Sequence, residues 1–131
     1  MKNIKDLVLS EKIVECAFPG APDFKIRLKY QSRQTIRELA KRATVYTIGT
    51  DMKKTESLDV ELFNKLFVGS CIIGWTGLTM ETLSKLVLLG EGFDPKEEVA
   101  FSQENAEFLI GASEAFDKFI NATVHDLDCF R

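Results

Sequence analysis

LDVELFNKLFVGSCIIGWTGL, residues 58–78, is the stretch around which the remaining segments are read. Leu58, Leu62, Phe63, Leu66, Phe67, Ser70 and Ile73 recur at a period near 3.6 residues, which predicts an amphipathic helix buried along one face. Trp75, the single tryptophan, closes the stretch between Gly74 and Gly77, and two glycines suit a helix end where the chain turns sharply. The other segments are expected to cover this helix.

Upstream, Val14, Cys16 and Phe18 alternate with Ile13, Glu15 and Ala17, and Pro19-Gly20-Ala21-Pro22-Asp23 supplies turn chemistry. Phe24, Ile26, Leu28 and Tyr30 then alternate with Lys25, Arg27 and Lys29, so one face of a hairpin is buried and the other is wet. A hairpin alone is marginal and must lie on helices or pair with another chain. Ile4, Leu7 and Val8 fit either one turn of helix or a frayed end. Ser32 caps a helix expected from Arg33 to about Tyr46, with Ile36, Leu39, Ala40 and Ala43 inward and Arg33, Arg37, Lys41 and Arg42 outward. Residues 49–55 read as a polar connection, after which Ser57 or Asp59 caps the central helix.

Downstream, Thr79 caps a short helix through Leu89 with Met80, Leu83, Leu86 and Val87 inward, ended by the run Gly90 to Pro95. Ser102 caps a last long helix from Gln103 to about Thr123, lined by Ala106, Leu109, Ile110, Ser113, Phe116 and Ile120. Phe108, Ala112, Ala115 and Phe119 widen that stripe beyond what one partner needs, so this helix is central or part of an interface. The fold expected is mostly α: four or five helices with an N-terminal β-hairpin packed on them, in one domain spanning 1–131, with the hairpin at about 12–30 and the helical part at about 33–123.

Composition bounds the function. The chain has 131 residues, enough to bury roughly two-thirds of its unfolded surface. Its apolar content is 45% with ten phenylalanines, its charged content 28%, and its net charge −3, which argues against a nucleic-acid partner. Cys16, Cys71 and Cys129 form no CxxC pair and read as buried free thiols in a reducing cytoplasm, without a zinc site. The first fifteen residues carry no signal-peptide pattern, and the longest aliphatic run, Leu86–Leu89, is far short of a membrane span. A soluble protein that is not exported and has no membrane partner is expected.

Catalytic chemistry is not spelled out. His125 is the single histidine, in a polar segment near the C-terminus, and the carboxylates fall on outward helix faces or in the 91–98 loop. Residues 69–76, GSCIIGWT, have the glycine and threonine spacing of a phosphate loop, but Trp75 stands where the phosphate-neutralising lysine belongs. No catalytic, cofactor-binding or metal-binding residue is therefore assigned, and no cofactor. Lys25, Arg27, Lys29, Arg33 and Arg37 form the main basic patch, read as the wet side of a strand and helix in preference to a phosphate or acidic-partner site. Trp75, Leu78, Met80 and Phe93 suit equally a core plug or a binding hot spot.

Three segments together resemble the small tail assembly chaperones of long-tailed bacteriophages and prophages: FPGAPDFKIRLKYQSRQTIRELAKRA (18–43), LDVELFNKLFVGSCIIGWTGL (58–78) and VAFSQENAEFLIGASEAFDKFI (99–120). The positions that match the family pattern are Trp75, Gly77, Leu78, Phe101, Ser102, Glu104 and Asn105, whether as structural or as contacting residues, and the connection from Thr79 to Glu98 is longer than the pattern. The resemblance implies a non-enzymatic protein of the bacterial host cytoplasm, missing from the mature virion. It would bind and solubilise the tape measure protein before the tail tube polymerises, with the tail tube protein as a possible second partner and a homo-oligomer as a possible state. It further implies that this chain is the shorter of two forms, the longer carrying a frameshifted extension. Partner contacts would come from Trp75, Leu78, Met80, Phe101, Phe108, Phe116 and Phe119. The rival readings are a structural tail completion or connector protein and, behind it, a nucleic-acid-binding regulator using the basic patch.

Overall fold

A computed structural model describes residues 3–8 and 11–131; the expected domain also takes in residues 1, 2, 9 and 10, which lie outside the described residues. Strands β1 (Ile13–Phe18) and β2 (Ala21–Lys29) form the expected antiparallel hairpin, turned at Gly20 with φ +83. Phe24, Ile26 and Leu28 are fully buried, whereas Lys25 and Arg27 are exposed, as the alternation requires. Helix α2 (Arg33–Arg42) follows, with the Ser32 hydroxyl accepting the Thr35 N–H at 3.1 Å. Beyond α2 lie β3 (Thr44–Ile48), β4 (Lys54–Leu58), helix α3 (Val60–Cys71), strand β5 (Ile72–Thr76), helix α4 (Met80–Leu86), α5 (Gln103–Ala112) and α6 (Glu114–Val124). A single helical turn, α1 (Ile4–Leu7), precedes the hairpin, and a 3-10 turn, Leu127–Phe130, follows α6.

The mostly α expectation is corrected to a mixed α+β fold. The difference lies in β3, β4 and β5, all inside the part expected to be helical. The stretch 58–78 is helical only as far as Cys71. Ile72–Thr76 then runs extended and pairs with β2, giving a three-stranded antiparallel sheet in the order β1-β2-β5. A short run such as Cys-Ile-Ile-Gly-Trp satisfies a buried helix and a buried strand alike; here the open edge of β2 captures it. Val45 and Tyr46, expected at the end of α2, instead enter β3, which pairs with β4 in a separate two-stranded sheet. Its β-branched and aromatic residues favour strand over helix.

The last expected helix is two helices. Ser113, nearly fully buried, ends α5 and caps α6 by accepting the Phe116 N–H at 3.2 Å. The over-wide apolar stripe was the sum of two narrower ones. Ala106, Leu109 and Ile110 bury one face of α5, and Phe116, Ile120 and Val124 one face of α6. With Phe67, Val68 and Cys71 of α3 they cover the inner face of β2, forming one continuous hydrophobic cluster. Each large side chain taken wholly out of water there contributes about 1.5–3 kcal/mol.

Gly77 locks this arrangement. It has φ +73, and a side chain on it would collide with the carbonyl of Asp23, the third residue of β2. Gly111 on α5 has open space around its Cβ position. Gly77→Ala should therefore lower unfolding stability by about 2 kcal/mol or more, combining left-handed strain with a backbone clash. Gly111→Ala should raise it by about 0.5–1 kcal/mol through helix propensity. Urea unfolding followed by circular dichroism checks both.

Candidate functional site

The three segments that carry the family resemblance meet at Trp75. Its ring stands edge-on to Phe24 from the first segment (centroids 5.9 Å apart) and to Phe101 and Phe116 from the third (5.0 and 6.4 Å). Its Nε1–H donates to the Val99 carbonyl at 3.0 Å, so the one polar atom of the indole is satisfied. Ser102 accepts the Asn105 N–H at 3.1 Å, and the Asn105 side chain donates to the Ala100 carbonyl at 3.1 Å, fixing the entry to α5. Of the matching residues, Trp75 and Phe101 pack together at this junction, Ser102 and Asn105 fix the helix entry beside it, and Glu104 is exposed. The longer connection from Thr79 to Glu98 is a closed excursion: Thr79 bridges to Glu98, the Val99 N–H donates to the Leu78 carbonyl at 2.7 Å, and the Met80 N–H to Glu97 at 2.8 Å.

Beside this junction, α4, α5 and the start of the connection enclose a small apolar cleft of about 110 Å³, lined by Trp75, Leu78, Leu83, Val87, Phe108 and Leu109 among others. The cleft brings together three of the seven residues expected to contact a partner: Trp75, Leu78 and Phe108. Trp75 and Leu78 form its buried wall; Phe108 stands at its lip, 66% exposed, and Leu88, between the lining residues Val87 and Leu89, is fully exposed. The other four lie elsewhere. Phe116 is wholly buried in the core, Phe119 is half-buried with its ring edge-on to Phe18 at 5.1 Å, Phe101 is half-buried on Trp75, and Met80 is half-buried at the start of α4.

The basic residues divide between two elements. Lys25, Arg27 and Lys29 lie on the outer face of the sheet, where Arg27 extends over Gly74 so closely that a Cβ there would sit 2.7 Å from its Nη2. Lys29 pairs with Glu11 at 3.0 Å, and Arg27 lies opposite Glu15 in the β1–β2 register. Arg33 and Arg37 line a shallow hollow on α2 with Ile36 and His125, whose Nδ1 lies 3.2 Å from the Gln31 carbonyl. His125 is exposed, and no group of three or more His, Cys, Asp or Glu among the described residues could hold a metal ion. No described helix is long and apolar enough to cross a membrane.

Two features were not anticipated from sequence. Gln31 is almost fully buried; its amide donates to the carbonyls of Lys29, Tyr30 and Ser70, and its oxygen accepts from the Ser70 hydroxyl at 3.0 Å. It ties the end of β2 to α3, and a lone glutamine after an alternating strand gives no warning of that. The second is the β3–β4 arm. All of β4 and four of the five residues of β3 are exposed, among them Val45, Tyr46, Ile48 and Leu58. Its tip residue Met52 is 85% exposed at φ +63, a conformation that costs a non-glycine residue about 1 kcal/mol. Val-Tyr-Thr-Ile followed by Gly49 was the available signal.

No family model, no curated protein and no solved structure matches this chain.

The cysteines differ in accessibility. The expectation that all three are buried holds for Cys71; Cys16 is half-buried, and Cys129 is exposed with its thiol 3.5 Å from Asp126. Burial pushes the Cys71 thiol well above its ordinary range by removing solvent from the thiolate, so raising the pH does not readily generate the reactive form. With a thiol-reactive dye, Cys129 should label first and Cys71 only at the rate of unfolding; mass spectrometry of digests taken over time checks the order.

Proposed function

We propose that this chain is a non-enzymatic chaperone that covers an apolar helical segment of another protein, acting as a phage tail assembly chaperone on a tape measure protein in the bacterial host cytoplasm. The tail tube protein is the second partner in this reading. The observation that carries it is Phe108, left largely in solvent at the lip of an apolar cleft whose buried wall is Trp75 and Leu78. A large aromatic at the edge of a ready-made apolar hollow is an anchor for one side chain of an incoming helix.

The cleft is small. It holds a single client residue at a time, so each contact is weak, and retention along a long client comes from repetition. That combination suits a cover which must later be displaced. The sequence segments in the resemblance supply the support: all three converge at Trp75, and the second and third contribute Trp75, Leu78, Val99, Asn105, Phe108 and Leu109 to the cleft lining.

Phe108→Asp should weaken binding of a tape measure fragment by about tenfold or more while leaving unfolding stability within about 0.5 kcal/mol, since the ring is largely exposed. Isothermal titration with the fragment, alongside urea unfolding, checks both. A client equally soluble and uncomplexed in co-expression with and without this protein would overturn the reading, and so would its presence as a stoichiometric part of purified tailed particles.

A further inference from the structure

The β3–β4 arm presents one guarded edge and one open edge. In its ladder the Asp59 N–H donates to the Ala43 carbonyl at 2.8 Å and the Gly49 N–H to the Lys53 carbonyl at 3.1 Å. With the register Val45↔Ser57 and Thr47↔Thr55 between them, the alternation of an antiparallel pair turns the backbone groups of Val45 and Thr47 toward β4. The N–H and C=O of Tyr46 and Ile48, and the C=O of Thr44, therefore point away from β4. No further strand pairs with β3 among the described residues.

The two edges differ in charge. β4 carries Lys54 and Glu56, and Lys53 precedes it, the residues that protect an edge strand from adding another. β3 reads Thr-Val-Tyr-Thr-Ile: five residues, no charge, no proline, all of strand-favouring type. An unguarded edge of that composition invites another strand.

We infer that β3 is a self-association edge, and that its occupant is β3 of a second copy of this chain, antiparallel about a two-fold axis at Tyr46. In that register Thr44 lies opposite Ile48, Val45 opposite Thr47, and Tyr46 opposite its own copy. The two Tyr46 backbones exchange both hydrogen bonds, and each Ile48 N–H meets a Thr44 carbonyl. The strand is close to palindromic in character, with β-branched residues on both sides of a central aromatic, so every position meets one of compatible size and no charge is buried. The product is a four-stranded sheet in the order β4-β3-β3-β4, whose outer edges are the guarded ones. It also answers the marginal stability of two isolated strands, since three or more strands are needed for independent stability.

This inference goes beyond the client-binding reading and stands without it: it uses the arm's edge, not the cleft beside Phe108. Sedimentation equilibrium of the full chain from about 1 to 200 µM, without client, should show a reversible dimer, and Tyr46→Lys should raise its dissociation constant about tenfold or more by setting like charges face to face on the axis. Circular dichroism confirms that this variant is folded. Tyr46→Cys in a Cys16→Ser, Cys129→Ser background should cross-link on mild oxidation, because residues paired across such a ladder have Cα atoms about 5.5 Å apart, within disulfide range. Thr55→Cys in the same background, on the guarded strand, should not. A wild-type chain that remains monomeric throughout, a dimer indifferent to Tyr46→Lys, or equal cross-linking from Thr55→Cys would each overturn the inference.

Discussion

Strand β2 has a neighbour on each edge and a fully buried inner face, and the contact that completes this situation is its antiparallel pairing with β5. Because α3 ends at Cys71 and β5 begins at Ile72, one short pairing places the helix across the sheet with no loop between them. The same pairing sets Trp75 opposite Ile26 and points its indole at α5, α6 and the segment that enters α5. Gly77 permits it by leaving room for the Asp23 carbonyl. A hairpin on helices would lack the third strand that makes a sheet stable by itself.

Much of the local structure was legible. Ser32, Asp59, Thr79 and Ser102 all serve as N-caps, because a short side-chain oxygen ahead of an apolar period has a specific job to do. The alternation in β2 declared its buried face. Three features were hidden, each for a physical reason. Ile72–Thr76 is too short for its period to separate helix from strand, and its identity depends on an edge supplied forty-odd residues earlier. Ser113 looks like an interior helical position until its hydroxyl turns to cap the next helix. The β3–β4 arm buries little, so the hydrophobic patterning that reveals core elements had nothing to act on.

The candidate site shows the same division. Trp75 and Leu78 could be picked out as unusual, yet whether they face inward or outward depends on β5, and the structure makes them a wall instead of a surface. Phe108 looks in sequence like one more member of a broad stripe. Only the break at Ser113 separates the stripe of α5 from that of α6, and it leaves this ring off the buried face. Cleft and arm thus present two different kinds of exposed apolar surface, one a concave hollow and the other an extended strand edge.

The excursion between Leu78 and Val99 leaves and rejoins the body at nearly one point, since Thr79 and Glu98 are bridge partners. Such a detour is a replaceable part. A short tight turn spanning the same two ends would leave β5, the Trp75 indole and the entry to α5 where they are, because loop closure depends only weakly on length. What would change is one side of the hollow, which Leu83 and Val87 supply, and the cover that Leu83, Leu86 and Val87 give to the edge of the core. Descendants of this architecture could thus diverge in which side chains they admit by lengthening, trimming or exchanging a single segment, while inheriting the sheet untouched.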